Sequence, residues 1–332
     1  MSGPTQPLIR LSTGKPALSA LDAVYDRSDE LLTRIGLARE SFDDPEIFVH
    51  AIVMYQFFEE AASAADDPFF LARIGKMIAG SKWPPLVEAA DCAVTLGSFL
   101  TKLVVVATDH SSSTEHHLDV SGKSGFLFGR RYYDTPFVPA QIDGFFAAMF
   151  GEIIKRSIGE KWNPDDVMVT ISDPNALPSE FLGCSVLAGD RRGHRVAFPA
   201  IWLTEPFSSD DFFKGPSERS GTSLPPKRVI VSVREALKPH IGVQPMNNEI
   251  AAGICGLSEQ QLSRKLRKEG TSLGKLIAEL KCEHAEMLLS QQKASVAEVA
   301  EVLGYSDATS FAHAFRGWTG KAPSDLKKQR EN

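Results

Sequence analysis

Cysteine is scarce. Cys92, Cys184, Cys255 and Cys282 lie scattered through 332 residues and form no CxxC pair. That spacing offers neither a disulfide framework nor a zinc site, and it suits a reducing compartment. Long apolar runs are also missing. No segment supplies about 18 uninterrupted apolar residues, and the start, MSGPTQPLIRLSTG, has no signal core. A cytoplasmic protein without a membrane span is expected. Excess positive charge is absent: 36 Lys and Arg face 42 Asp and Glu, a formal net charge of −6. Any contact with nucleic acid must then come from a local patch, not from the bulk field. Catalytic grammar is lacking too, with no GxSxG, no HExxH and no usefully spaced Cys/His pair. Gly122-Lys123-Ser124 lacks the glycine that a phosphate loop needs five residues earlier, where His117 stands. Adjacent strand residues point to opposite faces, so His116 and His117 cannot easily hold one metal, and both are expected at the surface. No catalytic residue, metal site or cofactor is expected.

What is present divides in two. Residues 208–226, SSDDFFKGPSERSGTSLPP, mix Ser, Pro, Gly and charge without a period and read as a linker or long surface loop. Before them, Ile142, Phe145, Phe146, Met149, Phe150, Ile153 and Ile154 form one helical stripe within 138–158. Residues 43–62 and 67–80 read as further helices. Alternation marks 166–172 as a strand, with 115–121, 125–133 and 195–203 as further strands. An α+β domain over 1–207 is expected, followed by a linker at 208–226 and an all-helical domain over 227–332. The charge divides as well: from residue 245 onward 12 Lys and Arg meet 11 Asp and Glu, leaving 24 against 31 in the remainder.

The C-terminal region contains a repeat. NNEIAAGICGLSEQQLSRKLRKEG (about 247–270) is matched by VAEVAEVLGYSDATSFAHAFRGWTG (about 296–320). Each copy has small alanines, then Gly, a bulky residue and Ser, then two apolar anchors four apart: Leu262 and Leu266, Phe311 and Phe315. Glycine permits a left-handed turn, and Ser258 and Ser306 are N-cap candidates. This pattern is that of a helix-turn-helix written twice. At about 100° per residue, Gln260, Arg264, Arg267 and Lys268 fall opposite Leu262 and Leu266. Thr309, His313 and Arg316 take the same positions in the second copy. Gln pairs with adenine and Arg with guanine in the major groove, while further basic groups hold phosphates. Between the copies, SLGKLIAELKCEHAEMLLSQQ (272–292) keeps helical spacing through Leu273, Leu276, Ile277, Leu280 and Met287/Leu288. About 20 helical residues span about 30 Å, close to the roughly 34 Å between successive major-groove faces.

Residues 227–328 resemble the DNA-binding domain of the AraC/XylS family of transcription regulators. The resemblance rests on the two helix-turn-helix units, the connecting helix and the signature SVAEVAEVLGYSDATSFAHAFRGWTGKAPSDLK. KEGTS at 268–272 departs from the commoner Lys-Glu-Thr-Gly step and matches a subgroup with a large N-terminal domain. The resemblance implies base reading by Gln260, Ser263 and Arg264 in the first unit, and by Thr309, Ser310, Ala312 and His313 in the second. Ala312 has no polar group and His313 is a weaker reader than Arg, so the second unit is expected to be less selective. Phosphate contacts are expected from Gln261, Arg267, Lys268, Arg316 and Lys321. Trp318 and Pro323 match structural positions.

Residues 15–210 are similar, more diffusely, to the regulatory domain of that subgroup, called arabinose-binding by name only. The matching stretches are WPPLVEAADCAVTLGSFLTKL, the helix at 138–158 and FLGCSVLAGDRRGHRVAFPAIWL. The resemblance implies a small-molecule effector, a homodimer, a double-stranded DNA partner, contact with RNA polymerase, and activation. For the effector, Arg130 or Arg131 beside Phe128 and Tyr133 can hold the carboxylate of an amphipathic ligand. Trp83 and Trp202 either line a pocket or pack. Two alternatives stay open: an effector-independent dimeric regulator, and an enzyme with an appended DNA-binding domain.

Overall fold

The computed structural model describes residues 6–208, 212–214, 221–290 and 294–328. It divides into two compact units. One comprises residues 1–31 and 42–225, the other residues 32–41 and 226–332. The first is mixed α/β and the second helical.

The first unit opens with β1 (Leu8–Arg10), α1 (Lys15–Asp22) and the start of α2 (Ser28–Arg34). The expected helix over 43–62 is split. Phe48–His50 form β2, paired antiparallel with β1, and α3 begins only at Ala51 and runs to Ala64. Pairing with a distant strand overrides the local helical pattern there, and His50 caps α3 by accepting from the Ile52 amide at 3.3 Å. Three helices follow: α4 (Phe70–Ile78), α5 (Pro84–Ala90) and α6 (Leu96–His110). A five-stranded sheet carries β3 (Glu115–Ser121), β4 (Ser124–Arg130), β5 (Met168–Ile171), β6 (Ser185–Ala188) and β7 (Gly193–Pro199) in the order β3-β4-β7-β5-β6. Gly122 and Lys123 make the turn between β3 and β4. The strand expected over 195–203 stops at Pro199, and Ala200–Thr204 form a 3-10 turn.

The apolar stripe expected in 138–158 becomes α7 (Ala140–Ile158), which packs on α4 and on the inner sheet face. At its first turn it buries a charge. Asp143 and Arg131, which follows β4, are both fully buried and joined through two bonds of 2.6 and 2.9 Å. Arg131 also donates to the Arg191 carbonyl at 2.9 Å. Burial pushes the Asp143 carboxyl up, but His194 and the Arg131 guanidinium outweigh it and hold it at about 2. His116 does not sit at the surface. In the sheet it lies opposite Gly129, which in turn lies opposite His194. A Cβ at Gly129 would strike the His194 ring and Thr114. Only glycine lets the two imidazoles share this row, with centroids 5.4 Å apart, under Phe146.

The stretch 208–226 departs from a free linker in its described parts. Phe212 and Phe213 are buried in the first unit, with Phe213 6.0 Å from Phe99. Arg156 donates to the Phe212 carbonyl at 2.9 Å. The Glu46 carboxylate accepts from the amides of Thr222 (2.7 Å) and Ser223 (2.9 Å). Arg10, only 2 % exposed, donates to the carbonyls of Pro45, Asp109 and Ser223. Its own Phe212 and Phe213, with the side chains of Arg156, Glu46 and Arg10 from outside the stretch, fasten it down.

The second unit contains α8 (Val229–Leu237), α9 (Asn248–Ile254), α10 (Glu259–Lys268), α11 (Leu273–Ser290), α12 (Val296–Val302), α13 (Ala308–Thr319) and α14 (Pro323–Lys328). Its segment 32–41 contributes buried Ile35 and Leu37, and the Gly36 carbonyl lies 2.7 Å from Nδ1 of the buried His240. Burial lowers the His240 pKa to about 4.

Two outcomes test this packing. Asp143→Ala leaves a buried guanidinium unpaired and is expected to cost about 3–5 kcal/mol in urea unfolding. A loss below about 1 kcal/mol would mean that Arg131 finds water. Glu59, on α3, accepts from the Gln141 amide at the start of α7 at 2.9 Å. Burial raises its carboxyl from 4.5 to about 7. The folded chain thus holds this proton more tightly than the unfolded one. The associated stability is present below about 4.5 and is lost as pH rises through about 7. Glu59→Gln is therefore expected to raise the melting temperature at pH 8 more than at pH 5. An equal shift at both pH values would contradict the assignment.

Candidate functional site

The two helix-turn-helix units are built from matching local parts. In the first, α9 ends on Gly256 at φ +60, and the Leu257 amide reaches back to the Ala252 carbonyl at 3.0 Å. In the second, α12 ends on Gly304 at φ +75, and the Tyr305 amide reaches the Ala300 carbonyl at 2.8 Å. These are the same glycine-terminated C-cap, formed twice. The caps that start the second helices differ. Ser258 caps α10 in a reciprocal box with Gln261, whose side chain accepts from the Ser258 amide at 2.9 Å. In the longer second turn Asp307, not Ser306, is the N-cap of α13, accepting from the Ser310 amide at 2.7 Å. A carboxylate at a helix N-terminus adds charge to the same hydrogen bond, and Ser306 itself donates to Asp307 at 3.0 Å.

α10 and α13 bury their anchors completely: Leu262 and Leu266, Phe311 and Phe315 are all 0 % exposed. That fixes which faces look outward. Gln260, Gln261, Arg264, Arg267 and Lys268 are exposed and together line one shallow open surface with Ser258. Ser263 lies half-buried on the flank. Among the described residues none of Arg264, Arg267 and Lys268 is held in an ion pair, whereas Arg228 and Arg234 pair with Glu269 and Glu283. On α13 Thr309, Ser310, His313 and Arg316 are exposed, as is Lys321 beyond it, and Ala312 is half-buried. Two of these side chains already have structural duties. Gln261 uses its oxygen in the capping box and keeps its amide donors. Ser310 donates its hydroxyl to Asp307 at 3.0 Å and keeps its acceptor capacity. α11 packs against α10 and against α12, α13 and α14, so one helix carries both units. Its buried stripe runs through Leu280 to Ala285 and Leu289, while Met287 is exposed.

The first unit holds an enclosed space, but not where the arginines pointed. Arg131 is consumed by Asp143. Arg130 is exposed over Tyr132, and Phe128 lies on the outer sheet face, stacked on His117. Trp202 is buried against Trp162 and Phe198. Trp83 does line a cavity, edge-on to Phe145. Tyr133 reaches that cavity only through a hydrogen bond of 3.1 Å to Tyr55. The cavity lies between α1, α3, α4, α6, α7 and β3 and is partly open to solvent. Its polar residues are Thr13, Tyr55, His110, Ser111, Ser113, Thr114 and His116. One overlooked sign of them is the polar run Asp109-His110-Ser111-Ser112-Ser113-Thr114, which reads as an exposed turn. Among the described residues there is no cluster able to hold a metal ion, and no helix long and apolar enough to cross a membrane.

Comparison with known proteins agrees with both halves. Residues 251–329 match the model of a helix-turn-helix domain. Residues 27–207 match the arabinose-binding domain found at the N-terminus of AraC transcription regulators, which is more than half of the chain. An HTH-type transcriptional regulator of Mycobacterium bovis is 34% identical over 157 residues, 43% of this chain and 43% of that protein. The Msm operon regulatory protein of Streptococcus mutans is 29% identical over 116 residues, 35% of this chain and 41% of that protein. This chain thus spans less than half the length of these curated relatives. The transcriptional regulator CdpR of Pseudomonas aeruginosa aligns over 82% of this chain and 90% of its own at 18% identity, with a TM-score of 0.33. With both of its domains matched in order, the chain belongs to the AraC family of transcription regulators.

Proposed function

We propose that the chain binds double-stranded DNA sequence-specifically and regulates transcription, reading two adjacent major grooves per protomer with α10 and α13. The carrying observation is the exposed, unpaired face of α10, where Gln260 and Arg264 stand opposite buried Leu262 and Leu266. Gln260, Ser263 and Arg264 read bases in the first groove, and Thr309, Ser310, Ala312 and His313 in the second. Gln261, Arg267, Lys268, Arg316 and Lys321 hold phosphates. The first unit senses a small molecule in its cavity and dimerises. The bound form favours the arrangement that engages DNA and RNA polymerase, and the effect is activation. In this reading the protein acts in the cytoplasm.

The test is footprinting on genomic fragments selected by the purified chain, at fixed salt. Wild type is expected to protect two adjacent major grooves. Arg264→Ala should cost about 1–3 kcal/mol and relax preference at one base pair. Lys268→Ala should weaken all sequences alike and reduce the salt slope by about one. Normal operator binding by Arg264→Ala would show that α10 does not enter the groove.

A further inference from the structure

We infer that the cavity of the first unit takes an uncharged, largely apolar ligand with one or two hydrogen-bonding groups, a fused-ring phenol or a medium-chain ketone in type, and neither a sugar nor a carboxylate. This rests on reading the first unit as the effector-binding part of a regulator.

The lining carries no Asp, Glu, Lys or Arg. Trp83, Phe145, Phe146 and Phe150 supply flat aromatic surface, and aliphatic side chains close most of the rest. Arg131, whose guanidinium lies 5.8 Å from the Tyr55 ring, is fully buried in its pair with Asp143 and has no charge to spare. A carboxylate placed here would be desolvated without a counter-ion, which is the most costly form of burial. A sugar would turn several hydroxyls toward hydrocarbon, and each stranded hydroxyl carries its own desolvation penalty.

The polar end limits the number of bonds that a ligand can make. Its hydroxyls largely satisfy one another: Ser111 and Ser113 lie 2.7 Å apart, and Tyr55 donates to Ser113 at 3.3 Å. The imidazoles are different. His110 is 6 % exposed and His116 8 %, and both line the cavity. Nε2 of His110 faces the Glu88 carboxylate at 3.6 Å, so Nδ1 of His110 and Nδ1 of His116 are the atoms left without a partner. Buried polar atoms are nearly always paired in folded proteins, so these atoms mark where a ligand's polar group belongs. Burial lowers both histidine pKa values, which leaves neutral rings offering one donor and one acceptor each. A hydroxyl or ketone meets that demand.

The test uses the full chain at pH 7.5 and the fluorescence of N-phenyl-1-naphthylamine, itself uncharged and apolar. The probe is expected to bind saturably and to be displaced by 2-naphthol and 2-undecanone. Decanoate should compete about tenfold or more weakly, and L-arabinose not at all. Ala107→Phe fills the cavity from α6 and should abolish probe binding. His110→Leu should weaken 2-naphthol about tenfold while leaving naphthalene unchanged, a split that mere loss of packing would not produce. Tight binding of L-arabinose or decanoate overturns the inference, as does probe binding that Ala107→Phe leaves intact, or no probe binding at all. A footprint measured on the same preparations separates the two claims. An intact footprint with no cavity binding removes the ligand class alone. Cavity binding with no footprint removes the DNA reading alone.

Discussion

The buried pair between Arg131 and Asp143 is the constraint around which the first unit is arranged. It joins the end of β4 to the first turn of α7, and α7 is the helix against which the inner sheet face, α3 and α4 are packed. Two charges with no exposure cannot be tolerated singly. The position of α7 along the sheet is therefore fixed by electrostatics as well as by apolar fit. The same pair brings Asp143 within 3.7 Å of His194, which shares its row with His116 at the cavity wall. The apolar cavity thus borders a charged anchor while receiving no charge from it.

The second unit solves its problem with short-range chemistry. Each helix-turn-helix depends on one left-handed glycine, one side-chain cap and two buried anchors, and these parts recur at nearly constant spacing. What varies is left on the outer face. There α10 carries two arginines and a lysine, and α13 a threonine, a histidine and one arginine. The two copies share a scaffold and differ in what they offer a groove.

That contrast explains what could be read in the sequence. The repeat was legible because turn, cap and anchors lie within about a dozen residues of one another, and the outward placement of Gln260, Arg264, Arg267 and Lys268 followed from Leu262 and Leu266. Most strands and α7 were legible from periodicity alone. The cavity was not. Its polar end uses a serine-rich run that looks like surface, and it pairs elements dozens of residues apart. Arg131 looked like a ligand-binding cation because nothing in its neighbourhood announces a carboxylate; Asp143 sits on the far side of a turn, inside an apolar helix. Gly129 showed nothing of its role, since the two histidines it accommodates come from different strands. Long-range pairing, not local propensity, set each of these outcomes.

The hydrogen bonds by which Arg10 joins β1 to three segments all go to backbone carbonyls, those of Pro45, Asp109 and Ser223. Carbonyl oxygens are present whatever side chain follows them. In related chains, then, this junction constrains only one of its four members. The arginine should be held fixed while residues 45, 109 and 223 drift independently, and no covariation should link them to it. A contact map inferred from correlated substitutions would miss the point where the chain leaving the first unit is fastened to its first strand.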